Sequence, residues 1–178
     1  AIRSSVFTVA IRRTGRVVRV PDFLFAMDHS DFPDIARGIE LLPFTLTPIS
    51  SESEMGKVRE LRLRAYSRHG YPDSLTSVLL QPDARDGAGT AVTLLAQSKA
   101  SGQAVGTIRL MTNLDGPVPR AETTPADPLF EDSFAYIDRF AVDATPGANT
   151  VTLALMKAVW LWSVERGARW MVASARQT

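Results

Sequence analysis

The segment from Phe134 onwards constrains the fold most, because it reads as a strand, a helix and a second strand. The run FAYIDRFAVD alternates as a strand does, a helical pattern covers about residues 151–166, and WMVASA follows as a further strand. Gly167 marks the end of the helix. A strand-helix-strand unit places its two strands parallel in one sheet. We therefore predict a mixed α/β fold with a central mixed, twisted sheet and flanking helices.

The predicted helix of this unit is apolar almost all round and includes Trp160 and Trp162. A helix with this pattern is usually covered on most of its sides. We therefore expect it to be buried in the core.

The first strand of the unit carries two adjacent charges, Asp138 and Arg139. Strand alternation puts Tyr136 and Asp138 on one face and Arg139 on the other. Because burying an unpaired charge is costly, the two residues either form a structural clamp or belong to a site. Alternation separates them across the strand, so we expect Asp138 to face a cleft and Arg139 to be paired behind it.

The expected partner of Arg139 is Asp83 or Asp86. Together with Arg62 and Arg109 they are predicted to form a network that either holds the helix and the loop against the sheet or binds substrate.

The chain before this unit reads as a strand, a helix and a hairpin. FTLTPI is a short strand, and Ser51 with Glu54 forms a capping box for a helix that extends to about His69. Two further strands, at residues 90–98 and 104–111, flank the polar turn KASGQ and are predicted to form a hairpin. The apolar stripe of the helix is Met55, Val58, Leu61 and Ala65.

The chain is predicted to consist of an N-terminal extension, residues 1–42, and one main domain, residues 43–178. In the extension, SVFTVAIRR and RVVRV flank a Thr-Gly turn as a hairpin, and an irregular segment with a short helix near residues 35–41 follows. With 178 residues, 45% of them hydrophobic, the chain can build one well-buried domain.

Composition excludes several classes of protein. No stretch approaches the ~18 uninterrupted apolar residues of a spanning helix, and Arg3, Arg12 and Arg13 interrupt the opening where a signal peptide needs an apolar core. We therefore predict a soluble, cytoplasmic protein. The absence of cysteine excludes disulfides, thiolate zinc sites and a Cys nucleophile, and the distant His29 and His69 make a poor metal site, so we predict no metal.

The net charge is only +1, but the positive charges are concentrated. Residues 1–20 contain several arginines and no acidic residue, and the stretch KVRELRLRAYSR adds further cations. This distribution favours an acidic partner. Because the sequence has no nucleic-acid-binding motif, a small acidic protein fits better than DNA or RNA. The alternative is a solvated basic face with no partner.

The order of elements and the run YIDRFAVD resemble the fold of the GCN5-related N-acetyltransferases. In that fold this strand splits from the next parallel strand, and an acyl thioester lies in the gap. The autoinducer synthases of this fold, which take acyl chains from acyl carrier protein, share a series of motifs. This chain has matching residues in the same order: Arg62 and Tyr66, Asp83 and Asp86, Gly106 with Arg109 and Leu110, and Arg139 with Phe140 and Val142.

Most of all, the chain resembles the long-chain N-acyl amino acid synthases. The resemblance covers roughly residues 44–175 and implies transfer of a long-chain acyl group from acyl carrier protein to the amine of an amino acid, with tyrosine as one candidate. It implies no bound cofactor, because the donor is carried on the phosphopantetheine of the carrier. In the family the chain continues beyond the final strand, so residues 43–178 are expected to fall short of a complete family domain. The alternatives are an autoinducer synthase and a non-catalytic module that binds acyl carrier protein or an acyl chain.

The chemistry implied by the resemblance needs a proton acceptor, because an amine is nucleophilic only as the free base. The autoinducer synthases carry a Glu three residues before the strand Arg, where this chain has Tyr136. Asp138, two residues further, can present a carboxylate to the same cleft. Asp138 and Tyr136 are therefore the candidate catalytic residues. The remaining matched polar and aromatic residues are predicted to bind substrate or support the site: Arg62, Tyr66, Asp83, Asp86, Arg109, Arg139 and Phe140.

Two features favour a carrier protein over coenzyme A as the acyl donor. The loop DATPGANT has one glycine and no basic residue, whereas a pyrophosphate is usually held by a glycine-rich loop and a helix N-terminus. Acyl carrier proteins are strongly acidic, so Arg12, Arg13 and Arg16 are predicted to dock the carrier.

Overall fold

One mixed sheet runs through the computed structural model, which describes residues 6–12, 42–81, 86, 90–116 and 132–176. In the described residues the sheet has six strands in the order β1-β6-β5-β4-β3-β2, and β5 and β6 are parallel while the other neighbours are antiparallel. The predicted α/β class is confirmed. The elements are β1 (Val6–Arg12), β2 (Phe44–Pro48), α1 (Glu52–Arg68), α2 (Asp73–Leu80), β3 (Ala91–Ser98), β4 (Ala104–Thr112), β5 (Phe134–Val142), α3 (Ala148–Glu165) and β6 (Trp170–Arg176).

The parallel strands β5 and β6 part along their length. They pair from Phe134 opposite Trp170 to Ile137 opposite Ala173, and no pair beyond these is formed between the described residues. Strand β5 nevertheless continues to Val142, and β6 pairs along its whole length with β1 on its other edge. The predicted splayed parallel pair is therefore present.

A β-bulge interrupts the pairing of β4 with β5. Thr107 lies opposite Ala141 and Arg109 lies opposite Asp138, so two residues of β5 face one residue of β4. The second of the adjacent charges, Arg139, has a φ of 51°. Residues other than glycine rarely adopt this left-handed backbone, but a bulge can impose it. The extra residue changes the direction in which the following side chains point.

Helices α1 and α3 cover opposite faces of the sheet. On β3, Leu94 and Ala96 pack in the cluster that includes α3, whereas Leu95 packs in the cluster that includes α1. Alternate residues of a strand point to opposite faces, so the two helices must lie on different sides. A third cluster contains Met111, Phe134, Tyr136, Trp170 and Val172, from β4, β5 and β6.

The prediction that α3 is buried on most sides is wrong. Its buried residues recur every four positions, at Val151, Leu155, Val159 and Ser163. Leu153 and Leu161 are 58% and 50% exposed. The helix lies on one face of a single sheet, so only the stripe that faces the sheet is covered in the described part of the chain.

Most of the other predicted elements are confirmed. The capping box of α1 is present, and the side chain of Ser51 accepts a hydrogen bond from the backbone N–H of Glu54. The pKa of Glu54 is lowered, mainly because its carboxylate accepts a hydrogen bond from the backbone N–H of Ser50. Strands β3 and β4 form the predicted hairpin. Helix α2 was not predicted, since it is short and begins after Pro72 without a side-chain cap.

The N-terminal extension is only partly described. Strand β1 pairs with β6, so residues 6–12 belong to the same sheet as the rest of the chain. The predicted hairpin partner RVVRV and the short helix near residues 35–41 lie outside the described residues. The division into an extension and a main domain stays a prediction.

A close approach between α3 and β4 requires the glycine at position 106. A Cβ there would meet Leu155 Cδ1 at 2.9 Å and would clash with Val151 Cγ1. Because valine is stiff at χ1, we expect Gly106→Ala to lower the free energy of unfolding by ~1 to 3 kcal/mol. Urea unfolding followed by circular dichroism measures this.

Gly56 on α1 provides the matched control, because a Cβ there meets nothing within 4 Å. Alanine is the better helix former, so Gly56→Ala is expected to raise the free energy of unfolding by ~0.5 to 1 kcal/mol. Equal unfolding midpoints for the wild type and Gly106→Ala would mean that α3 can move away from the sheet at no cost.

Candidate active site

A cluster of charged side chains lies where β5 and β6 part. Asp138 is the first residue of β5 after Ile137, the last one paired with β6. Along the other edge of β5, which pairs with β4, Asp138 lies opposite Arg109. The cluster is therefore positioned by strand register at the beginning of the gap.

Arg109 binds Asp138 through a bidentate ion pair. Arg109 Nε donates to Asp138 Oδ1 at 2.8 Å, and Arg109 Nη2 donates to Asp138 Oδ2 at 2.7 Å. The Arg109 side chain is 2% exposed, whereas that of Asp138 is 20% exposed. Such a fork is strong and fixes the plane of the carboxylate. Asp138 thus has a fixed orientation and remains partly accessible.

Asp86 joins two arginines into one network. Arg109 Nη1 lies 3.1 Å from Asp86 Oδ1, and Arg139 Nη1 lies 3.4 Å from Asp86 Oδ2. Arg139 Nη1 also donates to the backbone oxygen of Gln81, just after α2, at 2.8 Å. The side chains of Asp86 and Arg139 are 9% and 7% exposed. The network therefore connects β4 and β5 to the segment that follows α2.

Arg139 pairs with Asp86, one of the two partners expected for it, but the expectation that it lies behind the sheet, away from Asp138, is wrong. Arg139 and Asp138 belong to the same network, because Asp86 and Arg109 connect them. The β-bulge is the physical cause, since the left-handed backbone at Arg139 ends the strict alternation on which the expectation depended.

Arg62 lies beside this network on α1 and is 1% exposed. Its Nε and Nη2 have no hydrogen-bond partner among the described residues. Burial is the main cause that lowers the pKa of the Arg62 guanidinium to about 10. The positive charges of Arg139 and Arg109 lower this pKa further, whereas Tyr66 and Asp138 raise it. Arg62 is therefore still a cation at neutral pH.

The two tyrosines predicted as site residues lie in different hydrophobic clusters. Tyr66 lies on α1, in the cluster that includes Leu95 of β3, and its ring stacks on that of Tyr71 with the ring centroids 5.1 Å apart. Burial raises the pKa of Tyr66 to about 12. Tyr136 is buried in the cluster with Met111 and Trp170. Phe140, next to Arg139, is partly exposed.

Some of the predicted site residues cannot be placed. Asp83, Arg13 and Arg16 lie outside the described residues. Arg12 is the last residue of β1 and lies opposite Trp170, at the end where β5 and β6 are still paired. The predicted carrier-docking group is therefore placed only through the backbone of Arg12.

Sequence reasoning missed a second set of contacts, at the other end of β5. Arg68 Nη2 donates to the backbone oxygen of Val142 at 2.8 Å, and Arg64 Nη2 lies 3.4 Å from Asp143 Oδ2. Both arginines come from α1, one turn apart. Their spacing shows that they share a helix face, but nothing in the sequence pairs that face with Asp143. These contacts hold α1 against the end of β5.

The described residues contain no group of three or more His, Cys, Asp or Glu side chains that could hold a metal ion. None of their helices combines the length and the apolar character that crossing a membrane requires.

The chain has the fold of the GCN5-related N-acetyltransferases. No family model matches the sequence, and no curated protein matches it. It is similar to a GCN5-related N-acetyltransferase from Ralstonia eutropha JMP134, with a TM-score of 0.52, 20% identity, and coverage of 75% of this chain and 84% of that one. A predicted acetyltransferase solved with acetyl-CoA, from Clostridium acetobutylicum, gives a TM-score of 0.52 at 14% identity, with coverage of 75% and 82%.

A more distant likeness is to FeeM, an N-acyl amino acid synthase from uncultured soil microbes. Its TM-score is 0.47 at 16% identity, and the match covers 70% of this chain and 67% of that one. At that score and identity the likeness says nothing about what this chain acts on. The two acetyltransferase structures with TM-scores of 0.52 confirm the fold implied by the sequence resemblance, and the substrates stay a prediction.

Proposed function

We propose that this chain is an N-acyltransferase that moves a long-chain fatty acyl group from acyl carrier protein to the amino group of an amino acid, giving an N-acyl amino acid. Tyrosine is the first acceptor to test. The observation that carries the proposal is the parting of β5 and β6 directly beside a buried cluster of arginine and aspartate side chains. The gap suits a thioester, and the cluster suits a charged acceptor.

The gap supports acyl transfer because it leaves an edge of β5 unpaired. Beyond Ile137, the register between β5 and β6 ends, so backbone groups on that edge are not used in strand pairing between the described residues. A backbone N–H there can donate to the thioester oxygen as negative charge develops on it. Donor and acceptor held on either side of this edge react as neighbours, which removes much of the entropic barrier.

The reaction needs one proton acceptor. The amine nitrogen attacks the thioester carbon, the carbon–sulfur bond breaks, and phosphopantetheine leaves as a thiolate. The nitrogen loses a proton, which Asp138 accepts directly or through water. Although Arg109 binds both oxygens of Asp138, each carboxylate oxygen has a second lone pair for this purpose. Tyr136 stays a predicted second candidate.

The proposal is tested by incubating the purified protein with an amino acid and with acyl carrier protein that carries a long-chain acyl group. Mass spectrometry of the products should detect N-acyl amino acids whose formation needs both the thioester and the amino acid. A lactone made from S-adenosylmethionine would replace the proposal with autoinducer synthesis. Stoichiometric binding without turnover would replace it with a non-catalytic module.

The identity of the acyl donor is tested by reversing the positive charges of the N-terminal extension. Acyl carrier protein is acidic, and exposed charges act mainly on encounter. Reversing Arg12, Arg13 and Arg16 to Glu is expected to slow capture of the carrier by at least ~10-fold at low salt, while a small acyl thioester without the protein reacts as before. The difference should shrink as salt is added, since charges are screened beyond a Debye length of ~8 Å at physiological ionic strength.

A second charge reversal on α1 locates the docking surface. Lys57 and Arg64 lie on α1, and Arg64 contacts Asp143 at the open end of the gap. Reversing both to Glu is expected to slow carrier capture as much as the change in the extension does. If neither set of reversals affects either donor, coenzyme A becomes the donor to test. Equal losses with both donors would mean a damaged fold.

A further inference from the structure

The charges of the described cluster do not balance. Three guanidinium groups, those of Arg62, Arg109 and Arg139, lie among two carboxylates, those of Asp86 and Asp138. Both carboxylates are already bound by Arg109 or Arg139. One cation, Arg62, is therefore buried without a carboxylate of its own in the described part of the chain.

The two nitrogens of Arg62 without a hydrogen-bond partner among the described residues, Nε and Nη2, lie on one edge of its guanidinium. Arg109 uses the same two nitrogens to bind the carboxylate of Asp138. This edge matches the two oxygens of a carboxylate. Arg62 thus presents, inside the same cluster, the donor pair that its neighbour uses to bind a carboxylate.

Stability does not account for Arg62. A buried charge without a partner costs free energy of folding, and replacing it by an apolar side chain of similar volume is often neutral or stabilising. Groups that lower stability but are needed for ligands are common in functional sites. The cation is therefore better explained by a ligand than by the fold.

We propose that Arg62 binds the carboxylate of the acceptor, so that the acceptor is an amino acid rather than a simple amine. This inference rests on the proposed function and assigns one residue to the choice of substrate. Arg62 lies on α1, which packs against β4 and β5, and the negative charge of Asp138 acts to raise the pKa of its guanidinium. In an α-amino acid the amine and the carboxylate are attached to one carbon, so binding the carboxylate at Arg62 positions the amine beside Asp138 and the gap.

The test compares an amino acid with the amine that lacks its carboxylate, for example tyrosine with tyramine. Wild-type protein should prefer tyrosine by about 100-fold in kcat/KM, because a site built for a polar group leaves that group unpaired when the ligand lacks it. In Arg62→Met the preference should fall to within a few-fold of unity, mainly through a higher KM for tyrosine. Arg62→Lys keeps the charge without the fork and should retain part of the preference.

Two controls separate binding from folding. Arg59→Met removes a cation from the same helix, where Arg59 pairs with the exposed Glu52, and should keep the wild-type preference. The unfolding midpoint of Arg62→Met in urea should equal or exceed that of the wild type. A large drop in this midpoint, with tyrosine and tyramine affected equally, would show that Arg62 is structural and would overturn the inference.

Direct binding distinguishes failure of this inference from failure of the proposed function. Calorimetric titration of the wild type and Arg62→Met with free tyrosine and with N-acyl tyrosine does not depend on turnover. Binding that requires Arg62, in a protein that transfers no acyl group, would leave the inference standing and remove the transferase. An Arg62→Met variant that keeps either the tyrosine preference or wild-type affinity overturns the inference.

Discussion

Replacing Asp86 by Asn is expected to lower the free energy of unfolding by ~3 to 5 kcal/mol, because breaking a buried ion pair on one side leaves uncompensated charge behind. Asp86 bridges Arg109 and Arg139, and all three side chains are less than one-tenth exposed. An amide can replace one hydrogen bond but not the negative charge between two cations. Urea unfolding followed by circular dichroism measures the loss.

Asp115 is the matched control, since it pairs with Arg166 at 3.0 Å on the surface, where the side chains of Asp115 and Arg166 are 35% and 46% exposed. Exposed pairs contribute little, so Asp115→Asn should change the free energy of unfolding by less than ~1 kcal/mol. If Asp86→Asn unfolds like the wild type but loses turnover, the network serves the substrate rather than the fold.

The sequence was sufficient for elements defined by local pattern. The capping box of Ser51 and Glu54 marks the start of α1 because its hydrogen bonds form within four residues. The parallel pairing of β5 with β6 follows the usual crossover of a strand-helix-strand unit, in which the helix carries the chain back to the end of the sheet where the first strand began. These features depend on neighbours in the chain, and sequence displays such neighbours directly.

The position of Arg139 could not be predicted, because alternation assumes that no residue is inserted. The bulge places two residues of β5 opposite one of β4, and no motif in YIDRFAVD marks it. A glycine or asparagine at the left-handed position would have been a signal, but the chain has an arginine there. The prediction of which face of the sheet each β5 side chain points to, from Arg139 onwards, therefore failed because of this one inserted residue.

Pairings between distant segments were equally hidden. Strand β1 pairs with β6, almost the whole chain away, and no local pattern in the sequence indicates that pairing. That Arg62 Nε and Nη2 have no hydrogen-bond partner among the described residues can be recognised only from the three-dimensional arrangement of the side chains around them. The motif order identified the residues of the candidate site, and the structure supplied their pairing.

The geometry gives Asp138 two properties that the sequence could not weigh against each other. Its fork with Arg109 is what a structural clamp needs, and its partial exposure beside the gap is what a base needs. The roles are compatible, because Arg109 fixes the direction of the carboxylate while one lone pair of each oxygen remains. A substitution that keeps the shape and removes the charge separates them.

We expect Asp138→Asn to lower turnover by about 10² to 10⁴, as loss of a general base does. Asparagine has nearly the shape of aspartate and can still accept a hydrogen bond from Arg109, but it cannot take a proton from the amine. Arg109 also keeps its ion pair with Asp86, so the stability loss should be smaller than that of Asp86→Asn. Single-turnover acylation of the amino acid measures the chemical step apart from donor binding.

Carrier binding is the control for this experiment, because Asp138 contacts no part of the carrier in the proposed reaction. Asp138→Asn should therefore bind acyl carrier protein with wild-type affinity, and Asp115→Asn should turn over like the wild type. Turnover of Asp138→Asn within a few-fold of the wild type would end the role of Asp138 as base. Rate enhancement would then come from the alignment of donor and acceptor at the edge of β5, and Asp138 would serve to orient Arg109.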